Sequence, residues 1–302
     1  IRRRGAEFAS CRISPGCLQR KCGSMERISF SIVVVCLNPG SRLLTTVESV
    51  LRQAYPAFEI LIKDGGSRDG SLNALPSDPR IRVEKRPDRG IYDAMNQALE
   101  EVKPEKGRYV QFLNCGDVFH DETVLEKVAG AIREQEKAAG GRPLIVYGNQ
   151  YNLKQKCAVE SAHKINDFTC YRNVPCHQVC FYDASLFSAR GYLTRYRVRA
   201  DYEHFLYSVY EAGAKAVHAD VLVADYEGGG FSETKENRKV SAGEHREIVR
   251  QYLGAKKAFA YRMAMLLTLA PLRTKLAENE NWAAAYNKVK TGIYRLGKGE
   301  RT

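Results

Sequence analysis

Ile28-Ser29-Phe30-Ser31-Ile32-Val33-Val34-Val35-Cys36 followed by Leu37-Asn38-Pro39-Gly40-Ser41 is the stretch on which the architecture turns. The first nine residues form a β-branched run that reads as a fully buried strand. Asn38-Pro39-Gly40-Ser41 breaks it. Leu43, Leu44, Val47, Val50 and Leu51 then recur at helical spacing. Strand, turn, helix is the opening of an α/β unit.

The alternation continues. Phe58–Ile62 is a second strand running into Asp64-Gly65-Gly66-Ser67, a turn able to start a short helix. Arg80–Glu84 is a third. The next helix carries Ile91, Ala94, Met95, Ala98, Leu99 and Val102 on one face. Tyr109–Leu113 is a fourth strand, ending at Asn114-Cys115-Gly116-Asp117. Alternating strands and helices predict a mostly parallel sheet with right-handed crossovers. Ligands bind such sheets at the carboxyl ends of the strands. Asn38, Asp64, Asp88 and Asp117 follow strands one to four and are expected along one edge. The second half is less regular: Leu144–Tyr147, Val179–Tyr182 and Ala216–Ala224 read as strands, and Asp201–Tyr210 as a helix.

The 302 residues suffice for one large domain, or one domain with an extension, and the composition is that of a globular chain. We expect a leader at 1–24, a catalytic domain at 25–235 and a basic helical extension at 236–302. Residues 1–24 hold six Lys or Arg against Glu7 alone and have no apolar run. Met25 opens the first sensible strand, so 1–24 reads as disordered or non-native sequence. The net charge of +12 favours anionic partners, or serves solubility alone. It is spread along the chain without a known binding module, so nucleic acid is not expected. Nine cysteines cannot all pair and several lie in apolar runs, which suits a reducing cytoplasm.

Several residue groups have the chemistry of a site. Asp117 ends an apolar strand in a glycine-containing turn. Its carboxylate suits a hard cation such as Mg²⁺ or Mn²⁺, or else caps the turn. Asp93 and Asn96 are expected opposite the apolar stripe of their helix. With Tyr92 and Asp88-Arg89-Gly90 they make a polar cluster suited to an anionic or hydroxyl-rich ligand, or a solvated helix face. Asp201-Tyr202-Glu203 offers a general base. Arg195, Arg197 and Arg199 alternate, so an extended segment would present them on one face, to phosphates or to solvent. His177 lies among Cys170, Cys176 and Cys180, but no C-x-x-C pair supports zinc.

Taken together these segments resemble the family-2 glycosyltransferases of the GT-A fold, above all bacterial enzymes of capsule, exopolysaccharide and O-antigen synthesis. The likeness rests on Val33–Asn38, Asp64–Gly70, Phe112–Asp117, His177-Gln178, Asp201–Glu203, Gly229–Ser232 and, most specifically, Asp88–Asn96. It implies a Rossmann-like α/β sheet flanked by helices. It also implies metal-dependent, inverting hexosyl transfer from a nucleotide sugar, UDP-linked by preference, to a glycan or polyprenyl-linked acceptor. Asn38, Asp64, Asp88, Arg89, Asp93, Asn96, Asn114, His177 and Ser232 would bind donor and nucleotide. Asp117 would hold Mn²⁺ or Mg²⁺, Asp201 or Glu203 would be the base, and Gly229–Ser232 would close over the donor.

The sequence departs from that pattern in places. Asn-Cys-Gly-Asp lacks the first carboxylate of the metal motif. Asn149 and Ala200 stand where relatives often carry Asp and Glu, and Lys63 where an apolar residue is usual. Phe259–Leu272 is mostly apolar, too short to span a bilayer, and flanked or interrupted by Lys256, Lys257, Arg262, Arg273 and Lys275. It suits the interface of the inner face of the cytoplasmic membrane, or packing on the catalytic domain. The competing functions are a nucleotidyltransferase, for which strand one lacks a Gly-rich phosphate loop, and a non-catalytic nucleotide-sugar-binding protein.

Overall fold

The computed structural model describes residues 28–228 and 234–267. The expected leader, Ser232 with most of its loop, and the chain beyond Leu267 lie outside these residues.

Strands β1 (Ser29–Cys36), β2 (Phe58–Asp64), β3 (Ile81–Lys85) and β4 (Arg108–Phe112) form the parallel half of a nine-stranded mixed sheet. β1 pairs with β2 on one side and β4 on the other, Cys36 opposite Asp64 and Val33 opposite Phe112. That central place explains its composition. A strand with neighbours on both edges and helices along the sheet must be apolar on both faces, and Phe30, Ile32, Val33 and Val34 are buried. Helices α1 (Arg42–Leu51) and α2 (Ile91–Leu99) return the chain between strands.

The second half adds β5 (Val118–Phe119), α3 (Val124–Ala139), β6 (Leu144–Asn152) and β7 (Cys157–Val159). After these come α4 (Asp167–Arg172), β8 (Cys180–Asp183), α5 (Ser185–Ala189), α6 (Ala200–Tyr210) and β9 (Lys215–Tyr226). The strand order is β3-β2-β1-β4-β8-β6-β9-β5, with β7 on β6. β8 runs antiparallel to both β4 and β6, so the sheet stops being parallel at the β4 edge. The expected strands are present; β6 is longer than the apolar run predicts because its polar end pairs with β7. The expected helix from residue 236 begins at Lys235 as α7 (Lys235–Leu267), interrupted at Gly254. Ile248, Val249 and Leu253 from it are buried in the common core. None of the six cysteines among the described residues is joined in a disulfide.

An aromatic group seals the second half. His204 stacks on Phe187 with ring centroids 4.2 Å apart and meets Tyr192 edge-on. Its Nε2 lies 3.0 Å from the carbonyl oxygen of Arg190. Burial pulls its pKa down to about 3, so it folds as neutral imidazole. Unfolded, it takes up a proton near pH 6.5. Stability from this residue is therefore complete above pH 6.5 and is lost as the pH falls towards 3. By pH 4 the loss should reach about 3 kcal/mol. Urea unfolding of wild type and His204→Gln from pH 7 to 4 checks this: the variant should show the shallower decline, and parallel curves would refute it.

Candidate active site

The carboxyl ends of β1, β2 and β4 are adjacent, and the loops leaving them are stitched together. Asn38, at a positive φ of 46°, follows β1. Its backbone N–H donates to Ser67 Oγ at 2.7 Å, and its Oδ1 accepts from the Arg68 N–H at 2.9 Å. Asp69 accepts the Gly40 N–H at 2.8 Å. Asp64 accepts the N–H groups of Gly66 and Ser67 at 3.0 and 2.9 Å and the Ser67 hydroxyl. Burial raises its pKa, but these donors outweigh burial and hold it below the ordinary value. Asp64 is wholly buried. Its carboxylate shapes the Asp64–Ser67 turn from inside and offers no exposed oxygen to a ligand.

Asp88 is the carboxylate that faces this turn. A Cβ on Gly65 would lie 2.7 Å from Asp88 Oδ2, so only glycine admits it there. The same oxygen pairs with Lys63 Nζ at 3.3 Å, and Gly90 N–H donates to Oδ1 at 3.1 Å. Lys63 is fully buried and also donates to the carbonyls of Asp64 and Arg86. A buried ammonium is tolerable only when its donors are met in this way.

The expected polar face of α2 divides. Asp93 accepts the N–H of Arg89 at 2.8 Å and the Gln97 amide at 3.2 Å, and Arg89 Nη2 lies 3.7 Å away. Asn96, partly buried, bonds the backbone of Tyr192. Its amide donates to the Tyr192 carbonyl and accepts the Tyr192 N–H, both at 2.8 Å. One turn earlier, Tyr92 reaches the carbonyl of Val198 and Asp201 Oδ1, each at 2.8 Å.

Asp201, in the first turn of α6, is thereby brought to the sheet edge. Its Oδ2 lies 3.0 Å from His177 Nδ1, and His177 Nε2 lies 3.4 Å from Asn114 Oδ1. Burial pushes the Asp201 pKa up, but His177 and Tyr92 pull it down further, leaving it below the ordinary value. It is therefore an anion at neutral pH.

Glu203 does not share that position. It is fully buried, accepts two contacts from Arg190 Nη2 at 3.0 and 3.1 Å, and receives the Tyr252 hydroxyl at 2.5 Å. Two residues along a helix is roughly 200° of rotation, which turns Glu203 into the core. The arginines also separate. Arg195 lies over the Tyr196 ring and Arg199 bonds Ser241 and Asn173. Only Arg197 joins Arg89, Tyr92, Asp93, Thr194 and Tyr196 around a cavity of about 700 Å³. The segment is a series of turns rather than a strand, so alternation does not align the three.

Asp117 is nearly buried. Gln178 Nε2 donates to one oxygen and the Glu227 N–H to the other at 3.0 Å. Burial raises its pKa, the condition of a carboxylate short of a positive partner. Glu227, which the sequence reading missed, follows β9; its exposed carboxylate lies over Gly116 and meets Arg42 at 3.8 Å. A Cβ on Gly116 would lie 2.4 Å from Glu227 Oε2. Among the described residues no three His, Cys, Asp or Glu side chains gather for a metal ion. The chemistry of Asp117, a buried carboxylate held by uncharged donors, suits Mg²⁺ or Mn²⁺ where substrate phosphates and water complete the shell.

The chain was compared with known proteins. Residues 31–189 match the family described as glycosyl transferase family 2. A PGL/p-HBAD biosynthesis glycosyltransferase of Mycobacterium bovis is 31% identical over 212 residues, covering 68% of this chain and 79% of that protein. The Escherichia coli UDP-Glc:α-D-GlcNAc-diphosphoundecaprenol β-1,3-glucosyltransferase WfaP is 31% identical over 124 residues, covering 40% and 45%. The fold is similar to that of the mannosyltransferase PcManGT from Pyrobaculum calidifontis, solved with GDP-Man and Mn²⁺. The TM-score is 0.52 at 14% identity, covering 91% and 89%.

The Gly116–Glu227 approach can be tested by a mutant cycle. Gly116 has φ of 102°, so Gly116→Ala should cost about 2 kcal/mol or more from backbone strain and from displacing Glu227. Adding Glu227→Ala should relieve the second part, making the double variant more stable than the sum of the single losses predicts. Strict additivity in urea unfolding would show that the carboxylate does not occupy the space over Gly116.

Proposed function

The chain belongs to glycosyl transferase family 2, and we propose that it moves a sugar from a UDP-sugar to a hydroxyl of a glycan or lipid-linked acceptor with inversion. The observation that carries this is one dipeptide. His177 touches Asp201, and Gln178 touches Asp117. The anionic candidate base and the candidate metal carboxylate are thus held on either side of a single 3₁₀ turn, His177–Val179, beside Asn114.

Asp201 takes the proton of the acceptor hydroxyl. The acceptor oxygen bonds to the anomeric carbon as the bond from that carbon to the diphosphate oxygen breaks, and the diphosphate leaves with the electron pair. Attack opposite the leaving group inverts the centre. A divalent cation supplies charge neutralisation for the diphosphate when bound; Asp117 would hold it, with Glu227 beside it. Asp88, seated over Gly65, and the Asn38–Ser67–Arg68 loops would receive the nucleotide. Arg89 and Arg197 flank the cavity next to Tyr92. A UDP donor is supported by the name of the WfaP relative, while the PcManGT complex makes GDP the other nucleotide to try.

Thermal-shift and calorimetric titration with UDP, GDP, CMP and dTDP, each with and without Mn²⁺, tests the donor site. UDP should bind in a Mn²⁺-dependent manner, and Asp117→Ala should lose at least tenfold in affinity with its fold intact. Binding of GDP alone would correct the nucleotide. No binding by folded wild type would favour a non-catalytic protein.

Among the described residues no helix is long and apolar enough to cross a membrane. Phe259, Met263, Leu266 and Leu267 are exposed at helical spacing on α7, with exposed Lys256 and Arg262 nearby. This stripe would place the protein peripherally on the inner face of the cytoplasmic membrane, where anionic lipid attracts basic residues. Wild type should co-sediment with vesicles containing 30% (about a physiological excess) anionic phosphatidylglycerol. Phe259→Ser/Leu267→Ser should remain in the supernatant; equal sedimentation of the two would remove the stripe from the account.

A further inference from the structure

The hydroxyl of Tyr92 faces two acceptors and carries one hydrogen. Asp201 Oδ1 and the Val198 carbonyl oxygen each lie 2.8 Å from it, and a phenol can donate to one of them at a time. We propose that Tyr92 is a positioning residue for the base, exchanging its hydrogen between Asp201 and Val198 as Asp201 changes charge. The proposal rests on the reading of Asp201 as the base.

The ring cannot move away from this choice. Tyr92 is 8% exposed, packs on Tyr192 with centroids 5.4 Å apart, and belongs to the helix that Asn96 fastens to Tyr192. Burial first, and then the Asp201 charge, keep its pKa well above the ordinary phenol value. It therefore remains an O–H group throughout the working pH range.

While Asp201 is an anion, the charge-assisted bond is the stronger one. The hydrogen points at Oδ1 and fixes the carboxylate plane, with His177 on Oδ2. When Asp201 takes the acceptor proton, Oδ1 loses its charge and its advantage as acceptor. The hydrogen then turns to the Val198 carbonyl, and the phenol oxygen presents a lone pair to the new carboxylic acid. One proton enters the group and none leaves, and the phenol hydrogen has an acceptor in both states. A donor with no second acceptor would hold Asp201 ionised and oppose the transfer. With Val198 in reach, Tyr92 orients the base at a small cost in basicity.

The groups facing Asp201 are limited. His177 comes from the 3₁₀ turn and Tyr92 from α2. Cys176, Cys180, Tyr182 and Tyr192 lie near enough to feel its charge. Burial raises the pKa of each of these last four, so they are neutral where Asp201 titrates. The change on altering Tyr92 is thus read against His177 alone.

The test uses the full chain labelled with [¹³Cγ]aspartate, the Asp201 resonance being assigned by its absence in Asp201→Asn. Carboxyl titration is followed in wild type, Tyr92→Phe and protein carrying 3-fluorotyrosine. Tyr92→Phe should raise the apparent Asp201 pKa by about one unit. The stronger donor 3-fluorotyrosine should lower it, a result available even if the phenylalanine variant folds poorly. UDP release from UDP-glucose or UDP-N-acetylglucosamine supplies the kinetic arm. Tyr92→Phe should lower kcat about tenfold, move the acid limb of the pH profile up with the pKa, and leave UDP affinity within about twofold. Unchanged titration and kcat in Tyr92→Phe, with Asp201→Asn inactive, would leave the base standing and overturn the role of Tyr92. Full activity in Asp201→Asn would overturn both.

Discussion

Two side chains one helical turn apart join the halves of this molecule. Asn96 exchanges two hydrogen bonds with the backbone of Tyr192, and Tyr92 reaches the backbone of Val198 and the carboxylate of Asp201. Both arise from α2, in the parallel half of the sheet. Both close on the chain between the antiparallel strands and α6. Residues four apart on a helix share a face, so a single helix surface sets the distance between the edge that would receive the donor and the residue that would deprotonate the acceptor.

Around that junction, burial separates charged groups into kinds. Lys63, Asp64 and Glu203 are wholly enclosed, and each has its hydrogen-bonding capacity met by named partners. They hold loops and helices in place. Asp201 is only partly enclosed, its side chain 24% exposed; its partners are titratable or mobile in their hydrogens, and it stays ionised. Asp117 is the exception: its partners are an amide and a backbone N–H, neither of which carries charge, and burial leaves its pKa raised. A cation beside it would supply what the protein does not. Asn114, where the family pattern has an acid, has other partners. Asn114 accepts from the Asp117 N–H through its carbonyl and meets His177 through its side chain, while a carboxylate arrives over Gly116 from Glu227 instead.

α7 changes character along its length. Glu244 accepts the backbone N–H groups of Arg197, Val198 and Arg199, at 2.7, 3.0 and 2.9 Å. This satisfies the entry to α6, just before Asp201. Glu247 bonds the Tyr196 hydroxyl. Past Gly254 the helix keeps Tyr261 against Phe168 and Tyr171 but exposes its apolar stripe. The first part of the helix therefore braces the candidate base, and the second part carries an exposed apolar stripe.

The sequence by itself determined the parallel half of the sheet and the residues at its edge. Strand and helix periodicities are local, and loops after parallel strands must emerge at one edge whatever the tertiary detail. The segments Asp88–Asn96 and Asn114–Asp117 were legible through the resemblance to the family, since periodicity alone left them as turns and a polar helix face. Tertiary structure alone decided which carboxylate in Asp201-Tyr202-Glu203 faces the site, because neighbouring residues on a helix point in different directions and the helix can be docked by any face. It decided that Asn96 is a clamp and Asp64 a loop staple, since a polar residue reads alike whether its partner is ligand or backbone. It brought in Glu227, more than a hundred residues from Asp117, through the pairing of β5 with β9. Contacts at that separation depend on where the strands are laid in the sheet, and local periodicity does not encode that.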